Sequence, residues 1–282
     1  MPDMTENKLK GKVILAAAGP GDPDLVTIKT AQFLGKADVI LTDRLVSKDI
    51  LTRYANPLAK IVEVGKQSRR ESSTPQSVIS TLLLEYAVKD NLVVRLKGGD
   101  VSIYSNILDE LETLYAYQIP FEIIPGVTAA LGASAYAGIP LTARGYSTGV
   151  RLLTFYQDHV ISEKEWYDLA NTDDTLVFYM SSHSLSALTA RLLESGIQSD
   201  KPVAVIEQAT TPSQRVFIKD IEQCSKEHAV SYVSPTLIII GDVVKLHAKF
   251  AWYHASEAGA EYFESLPEKV FSSTVQRADH DS

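Results

Sequence analysis

The sequence contains a single cysteine, Cys224, among its 282 residues. One thiol excludes an intramolecular disulfide and any metal site built from several cysteines, so we expect Cys224 to be a small buried side chain. No apolar run approaches the length of a membrane span, and the opening residues MPDMTENKLKGK lack the apolar core of a signal peptide. The sequence therefore predicts a cytoplasmic protein.

Positive charge is also scarce. The chain has 27 Lys and Arg residues against 35 Asp and Glu residues, which gives a formal net charge of −8. Without an excess of basic residues, binding of the whole chain to nucleic acid or to an anionic membrane is not expected. The six histidines show no spacing typical of metal ligands, so no metal is predicted. The length suits one large domain or two smaller domains that share a cleft.

Glycine and proline cluster in one turn, AGPGDP at 18–23, directly after an apolar run that predicts a strand at 13–18. The spacing excludes the two common nucleotide-binding loops. Asp24 stands where a dinucleotide fingerprint needs its third glycine, and no lysine follows these glycines until Lys29, too late for a phosphate-binding loop. Asp22 also places negative charge where a phosphate would sit. The turn is therefore predicted to face a group that is not an anion.

Apolar strands and helical periodicity alternate through the first half of the chain. Strands are predicted at 13–18, 37–43, 60–65, 92–96 and 121–126, and helices at 24–36, from Thr74 onward and near 105–117. This alternation is typical of a parallel α/β sheet of about five strands.

The pattern changes after Pro125 and Gly126. Helices are predicted at 128–138 and near 184–195, and strands at 150–156, 175–180, 202–208, 215–221 and 235–243. Two of these strands follow each other without a helix, so the second sheet is predicted to be mixed. The predicted organisation is an N-terminal tail (1–10), two α/β domains (11–126 and 127–250) and a C-terminal tail (251–282) that ends in a frayed ADHDS.

Polar and glycine-rich segments follow four consecutive strands of the predicted first sheet: LTDRLVS, VGK, RLKGGD and IPGVTAA. The carboxyl ends of parallel strands meet at one edge of a sheet, where open α/β proteins bind their ligands. The charged residues expected at this edge are Asp43, Arg44, Lys66, Arg95, Lys97 and Asp100. One such residue alone more often caps a helix or lies in solvent, but the repetition from strand to strand favours a binding site.

The motifs AGPGDPDLVT, RLKGGD, IPGVTAA, AYAGIPLTAR and SPTLIIIGDVV occur in the order found in the tetrapyrrole (corrin/porphyrin) methyltransferases. The sequence resembles this family over roughly residues 11–245, and the motifs are specific as a set. The resemblance implies two α/β domains around a cleft, a homodimer, and S-adenosyl-L-methionine (SAM) bound between the domains. The reaction it implies is C-methylation of uroporphyrinogen III at two ring carbons to give precorrin-2. A sulfonium cofactor without phosphate agrees with the acidic turn.

The resemblance also implies roles for individual residues. Asp43 corresponds to a proton acceptor and Lys66 to a proton donor. By residue type alone, Asp43 is equally consistent with a helix cap, and Lys66 is better explained as an exposed lysine. The positions that match SAM-contacting residues are Pro20, Gly98, Gly99, Asp100, Ile103, Thr128, Ala129, Met180 and Ala209. The residues predicted to bind carboxylates of the substrate are Arg44, Arg95 and Arg144. Arg95 has an alternative role, the stabilisation of Asp100.

The sequence departs from the family pattern in the loop after Asp100. The family has a proline and then a glycine- and arginine-rich segment there, whereas this chain has VSIYSNILDE. Ala143 also replaces the histidine of the family motif LTHR. These changes affect the predicted substrate contacts more than the predicted SAM site. Two alternatives stay open: methylation of another acceptor, such as a later precorrin or a diphthine precursor, and a SAM- or tetrapyrrole-binding module without catalysis.

Overall fold

The computed structural model describes residues 11–64, 75–89, 91–155, 161–227, 230–256 and 261–263. Within these residues, the first half of the chain builds one five-stranded sheet and the second half builds another. The strands of the first sheet are β1 Lys12–Ala17, β2 Val39–Thr42, β3 Lys60–Glu63, β4 Leu92–Lys97 and β5 Phe121–Ile124. The helices of this half are α1 Ile28–Leu34, α2 Lys48–Tyr54, α3 Gln76–Ala87 and α4 Leu108–Ala116.

The second half starts with a helix and continues with the mixed sheet. Its strands are β6 Val150–Thr154, β7 Thr175–Tyr179, β8 Pro202–Glu207, β9 Arg215–Asp220 and β10 Thr236–Ile240. Its helices are α5 Ala129–Tyr136, α6 Glu163–Ala170, α7 Leu185–Glu194, α8 Ile221–Ser225 and α9 His247–Phe250. None of the helices in the described ranges is long and apolar enough to cross a membrane.

All neighbouring strands of the first sheet are parallel, in the order β3-β2-β4-β1-β5. From β1 the chain crosses over β4 to reach β2, and from β4 it crosses over β1 to reach β5. The two connections therefore leave toward opposite edges of the sheet. Such a divergence opens a crevice beyond the carboxyl ends of the two strands. The glycine-rich turns after β1 and β4 lie at this crevice.

The interior strand β1 is buried on both faces, which explains its unbroken apolar run. Val13 and Leu15 pack with Leu83 of α3 on one face, and Ile14 packs with Leu34 of α1 on the other. A strand covered by helices on both sides needs apolar residues at every position instead of an alternating pattern. The same burial makes β1 a rigid base for the turn that follows it.

The predicted fold class is confirmed: the first sheet is parallel, and in the second sheet β6 and β7 are parallel while the remaining pairs are antiparallel. The helix predicted at 24–36 begins only at Ile28, where the Thr27 hydroxyl caps α1 by accepting from the Thr30 amide at 3.2 Å. Asp22 caps a single 3-10 turn, Pro23–Leu25, instead of the helix. The sequence pattern did not predict α2 or α6.

The small residues of α5 are explained by packing within the chain. Ala130, Ala133 and Ala137 are buried in the cluster that covers the second sheet. A Cβ on Gly132 would lie 2.5 Å from Cγ of Pro20, so the absence of a side chain there lets the turn after β1 approach the helix. This stretch therefore gives no independent support for a dimer.

Part of the segment predicted as a C-terminal tail packs on the rest of the protein. The Tyr253 hydroxyl donates to the Thr211 carbonyl at 2.9 Å, and the Tyr262 hydroxyl donates to Asp49 Oδ2 at 2.6 Å. Phe263 is 2% exposed. The final ADHDS lies outside the described residues. Residues 251–256 and 261–263 thus belong to the folded body, and the absence of periodicity did not indicate this.

Candidate functional site

The glycine turns after β1 and β4 are joined by two backbone hydrogen bonds. The Gly19 amide donates to the Gly99 carbonyl at 3.1 Å, and the Gly99 amide donates back at 2.7 Å. Both residues have positive φ, 78° and 69°, a conformation that favours glycine. Gly98 is needed for another reason, since a Cβ there would lie 2.9 Å from the Leu45 carbonyl oxygen. The two turns therefore form one structural unit at the crevice.

Asp100 connects this unit to the loop after β5. Its Oδ1 accepts from the Ser102 amide and its Oδ2 accepts from the Gly126 amide, both at 2.8 Å. The residue is only 8% exposed. A role in holding these loops accounts for a carboxylate at this edge of the sheet, just as turn geometry accounts for the glycines. The sequence alone did not suggest such a role for the carboxylate.

The second half of the chain contacts the turn after β1 directly. The Asp22 amide donates to the Thr210 hydroxyl at 3.1 Å, and the Tyr136 hydroxyl donates to Asp22 Oδ2 at 2.6 Å. A Cβ on Gly21 would lie 3.2 Å from the carbonyl oxygen of Ala209. The predicted SAM-contacting residue Ala209 therefore lies beside the β1 turn, although 188 residues separate the Asp22–Thr210 pair in the sequence.

Tyr179, at the end of β7, organises the start of α5. Its hydroxyl lies 2.7 Å from the Thr128 hydroxyl and accepts from the Ala130 amide at 3.1 Å. Burial raises the pKa of Tyr179 above its usual value, so the phenol stays neutral. The next residue, Met180, is half exposed and has a φ of 55°. Sequence reasoning missed Tyr179 because it ends an apolar strand and resembles an ordinary core residue.

A tyrosine from the first half completes this region. The Tyr104 ring centroid lies 5.0 Å from that of Tyr179, and the Tyr104 hydroxyl donates to the Leu152 carbonyl in β6 at 2.6 Å. Tyr104 belongs to the loop after Asp100, which departs from the family pattern. That loop is therefore attached to the second sheet.

A pocket of about 510 Å³ lies between α5, β6 and this loop. Its lining residues are Ile103, Thr128, Ala130, Leu131, Ser134, Pro140, Leu141, Thr142, Val150 and Leu152. The walls are mainly apolar, with hydroxyl groups from three of the residues. Such a combination is typical of small-molecule sites. Two of the predicted SAM-contacting residues, Ile103 and Thr128, line the pocket itself.

Charged side chains cluster beneath the ends of β2 and β4. Arg95 Nη2 donates to Asp43 Oδ1 at 2.5 Å and its Nε donates to Glu110 Oε1 at 3.1 Å. Arg95 is 2% exposed, so it cannot reach a substrate carboxylate without breaking these ion pairs. The prediction that Arg95 binds substrate or stabilises Asp100 is therefore corrected: its partners are Asp43 and Glu110.

Lys97 belongs to the same cluster, since its Nζ donates to Glu110 Oε1 at 2.9 Å. Burial, together with the nearby Arg95, lowers the pKa of Lys97 against the opposing effect of Glu110. Glu110 lies on α4 and was not among the predicted site residues. One feature of the sequence could have indicated a buried carboxylate nearby. Arg95 and Lys97 are two residues apart on one strand, so their side chains lie on the same face of the sheet and need a negative charge beside them.

The remaining predicted residues have different surroundings. Arg44 follows Asp43 and is half-buried, whereas Arg144 is exposed in the loop closed by the bridge between Ala143 and Ser147. Lys66 lies outside the described residues. In the part of the chain that the structure describes, no three His, Cys, Asp or Glu side chains are grouped as metal ligands.

The arrangement of two glycine turns over a parallel sheet and a second mixed sheet matches a known family. The family model described as Tetrapyrrole (Corrin/Porphyrin) Methylases matches residues 12–224. The chain belongs to the tetrapyrrole methylase family. The resemblance found in the sequence motifs is thereby confirmed.

Individual relatives give more detail. The chain is 42% identical over 244 residues to a siroheme synthase of Saccharophagus degradans, covering 86% of this chain and 53% of that protein. It thus spans about half the length of the curated relatives it matches. A uroporphyrin-III C-methyl transferase from Thermus thermophilus, complexed with S-adenyl homocysteine, is 33% identical with a TM-score of 0.71, over 84% of this chain and 100% of that one.

A cobalt precorrin-4 methyltransferase is similar in structure as well. Its TM-score is 0.72 at 26% identity, over 83% of this chain and 95% of that chain. Enzymes with different tetrapyrrole acceptors thus share this fold. The fold itself does not select the acceptor.

Proposed function

We propose that the chain is a SAM-dependent methyltransferase that methylates uroporphyrinogen III at two ring carbons to give precorrin-2. The observation that carries this proposal is the match to the Thermus uroporphyrin-III C-methyl transferase, which extends over the whole of that chain. The siroheme synthase relatives are consistent with a product used for sirohaem. The later precorrins are the second candidate acceptors, because the cobalt precorrin-4 methyltransferase has an equally similar fold.

The residues at the crevice fit SAM. A Cβ on Gly99 would meet only the Ala129 amide nitrogen, at 3.8 Å, so an open space lies between the β4 turn and the start of α5. The apolar pocket beside it offers the Thr128 hydroxyl. The acidic β1 turn disfavours phosphate but is compatible with a cation. We propose that the nine residues named from the resemblance hold the cofactor in this region.

SAM, held by these residues, would supply an electrophilic methyl group to a pyrrole carbon and would leave as S-adenosylhomocysteine, and the methylated macrocycle would then have to lose a proton. Asp43 is the proposed acceptor of that proton. Its side chain is 28% exposed, at the carboxyl end of β2, and Arg95 fixes its orientation. A carboxylate held at a cleft edge is suited to general-base catalysis if the macrocycle comes within hydrogen-bond reach. Lys66 remains the proposed proton donor.

The test is to incubate purified protein with SAM and enzymatically made uroporphyrinogen III, with and without EDTA, and to measure product mass and absorbance. The expected product is heavier by two CH₂ increments and forms equally in EDTA. The Asp43→Asn variant is expected to bind S-adenosylhomocysteine normally but to methylate roughly 10²-fold more slowly or worse. Activity only on a later precorrin would favour the second acceptor class. Ligand binding without methylation of any acceptor would favour a non-catalytic module.

We also propose a homodimer, on the family resemblance alone. Light scattering at micromolar concentration is expected to give twice the mass of the chain. A monomer mass across that concentration range contradicts the proposal.

A further inference from the structure

Glu110 is a fully buried carboxylate in the first half of the chain. It lies on α4, and its Oε1 accepts from Arg95 Nε at 3.1 Å, Lys97 Nζ at 2.9 Å and Gln76 Nε2 at 3.3 Å. Its Oε2 has no hydrogen-bond partner among the described residues. Burying a carboxylate with two cations costs desolvation energy that an apolar core residue avoids. Stability alone is therefore a weak reason for this cluster.

Arg95 is held rigidly between Glu110 and the cleft edge. Its Nη1 donates to the carbonyl oxygens of Leu41 at 3.4 Å and Leu96 at 3.2 Å, which fixes the guanidinium against β2 and β4. Its Nε and Nη2 then point to the two carboxylates, Glu110 inside and Asp43 at the edge. The planar fork of arginine permits both contacts at once, which lysine cannot provide.

The charges of the cluster are balanced only if Glu110 is included. Two cations, Arg95 and Lys97, lie beside two carboxylates, and Glu110 contacts both cations while Asp43 contacts Arg95. Without the charge on Glu110, Asp43 would be the remaining carboxylate for both cations. Arg95 would lose the contact that holds its Nε, so its Nη2 would no longer keep the Asp43 carboxylate in one orientation.

We propose that Glu110 is a positioning residue that sets the orientation of Asp43 through Arg95. This inference rests on the proposed function, in which Asp43 accepts the proton released after methyl transfer. Glu110 does not touch the substrate in this scheme. Its role is to share the charge of Arg95 and to hold the guanidinium in place.

The experiment compares Glu110→Gln, Arg95→Lys and Asp43→Asn, and the Asp43→Asn/Glu110→Gln double variant, in steady-state and single-turnover methylation of uroporphyrinogen III. The matched control is Glu112→Gln, an exposed residue on the same helix. Calorimetry with S-adenosylhomocysteine and circular dichroism report whether each variant is folded and binds ligand. If Glu110→Gln does not fold, Arg95→Lys tests the same link between Glu110 and Asp43. Lysine keeps the positive charge at position 95 but cannot donate to both carboxylates as the planar guanidinium does.

Glu110→Gln is expected to lower kcat about tenfold or more, with KM and S-adenosylhomocysteine affinity unchanged, and to lower the rate no further when Asp43 is already Asn. The Glu112→Gln control is expected to match the unmodified protein. Two results would overturn the inference while the proposed function stands, provided that the unmodified protein is active. In the first, Asp43→Asn and Glu110→Gln reduce kcat independently in the double variant. In the second, Glu110→Gln changes KM or the affinity for S-adenosylhomocysteine instead of kcat. An inactive unmodified protein overturns both.

Discussion

Asp100 offers the sharpest test of how the crevice is held together. Its two oxygens accept from the amides of Ser102 and Gly126 at 2.8 Å, in a site that is almost closed to solvent. Hydrogen bonds to a charged group each contribute about 1.5–3 kcal/mol. Asp100→Ala removes both and leaves two amides without their partner, so we expect a loss of about 3 kcal/mol or more in the free energy of unfolding.

The isosteric Asp100→Asn variant should be intermediate. Its amide oxygen can replace one acceptor, but its NH₂ group faces the second backbone amide, so about half of the loss is expected. Urea denaturation followed by circular dichroism measures both variants. Ser102→Ala is the matched control, because it removes a side chain but keeps the amide that Asp100 accepts from. An Asp100→Ala variant within about 0.5 kcal/mol of the unmodified protein would refute the loop-holding role.

Ligand affinity separates this role from direct cofactor binding. On folded Asp100→Asn, calorimetry with S-adenosylhomocysteine measures the contact that the resemblance implies. A direct charge-assisted contact predicts a loss of about 1.5–3 kcal/mol in binding free energy. An unchanged affinity would assign Asp100 to the loops alone.

Three further predictions concern the C-terminal segment, a surface ion pair and the substrate. Phe263→Ala is expected to destabilise the protein by about 3 kcal/mol because the ring is buried, whereas Phe250→Ala, whose ring is half exposed, should cost far less; denaturant titration compares them. Hydrogen bonds from two lysines lower the pKa of Asp242 below its usual 3.8, so its contribution to stability is present at neutral pH and is lost as pH falls below about 4. Asp242→Asn should therefore be less stable than the unmodified protein at pH 7, and this difference should shrink as pH falls through the lowered pKa of Asp242; a difference that does not shrink in acid contradicts the assignment. Arg144→Gln should raise the KM for uroporphyrinogen III and weaken its dependence on salt, while the affinity for S-adenosylhomocysteine stays constant; kinetics at several ionic strengths measure this, and an unchanged KM removes Arg144 from the substrate site.

The fold was predictable because its signals are local. The run VILAAA requires a strand covered on both faces, and the β1 to β5 alternation requires helical crossovers between parallel strands. The glycines at 19 and 99 carry positive φ, which local sequence indicates well. The segment after Phe250 was predicted poorly, since isolated aromatic residues such as Phe263 have no period that distinguishes a docked segment from a tail.

The sequence by itself determined the two sheets, the two glycine turns and the family to which the chain belongs, because each depends on residues that are neighbours or follow a fixed period. Only the tertiary structure decided what the charged and aromatic residues contact. Arg95 at a strand end appeared available to substrate, but the packing of α4 places Glu110 against it, and it lies buried between Glu110 and Asp43. The partner of a buried charge depends on how whole elements pack, and no local pattern records that.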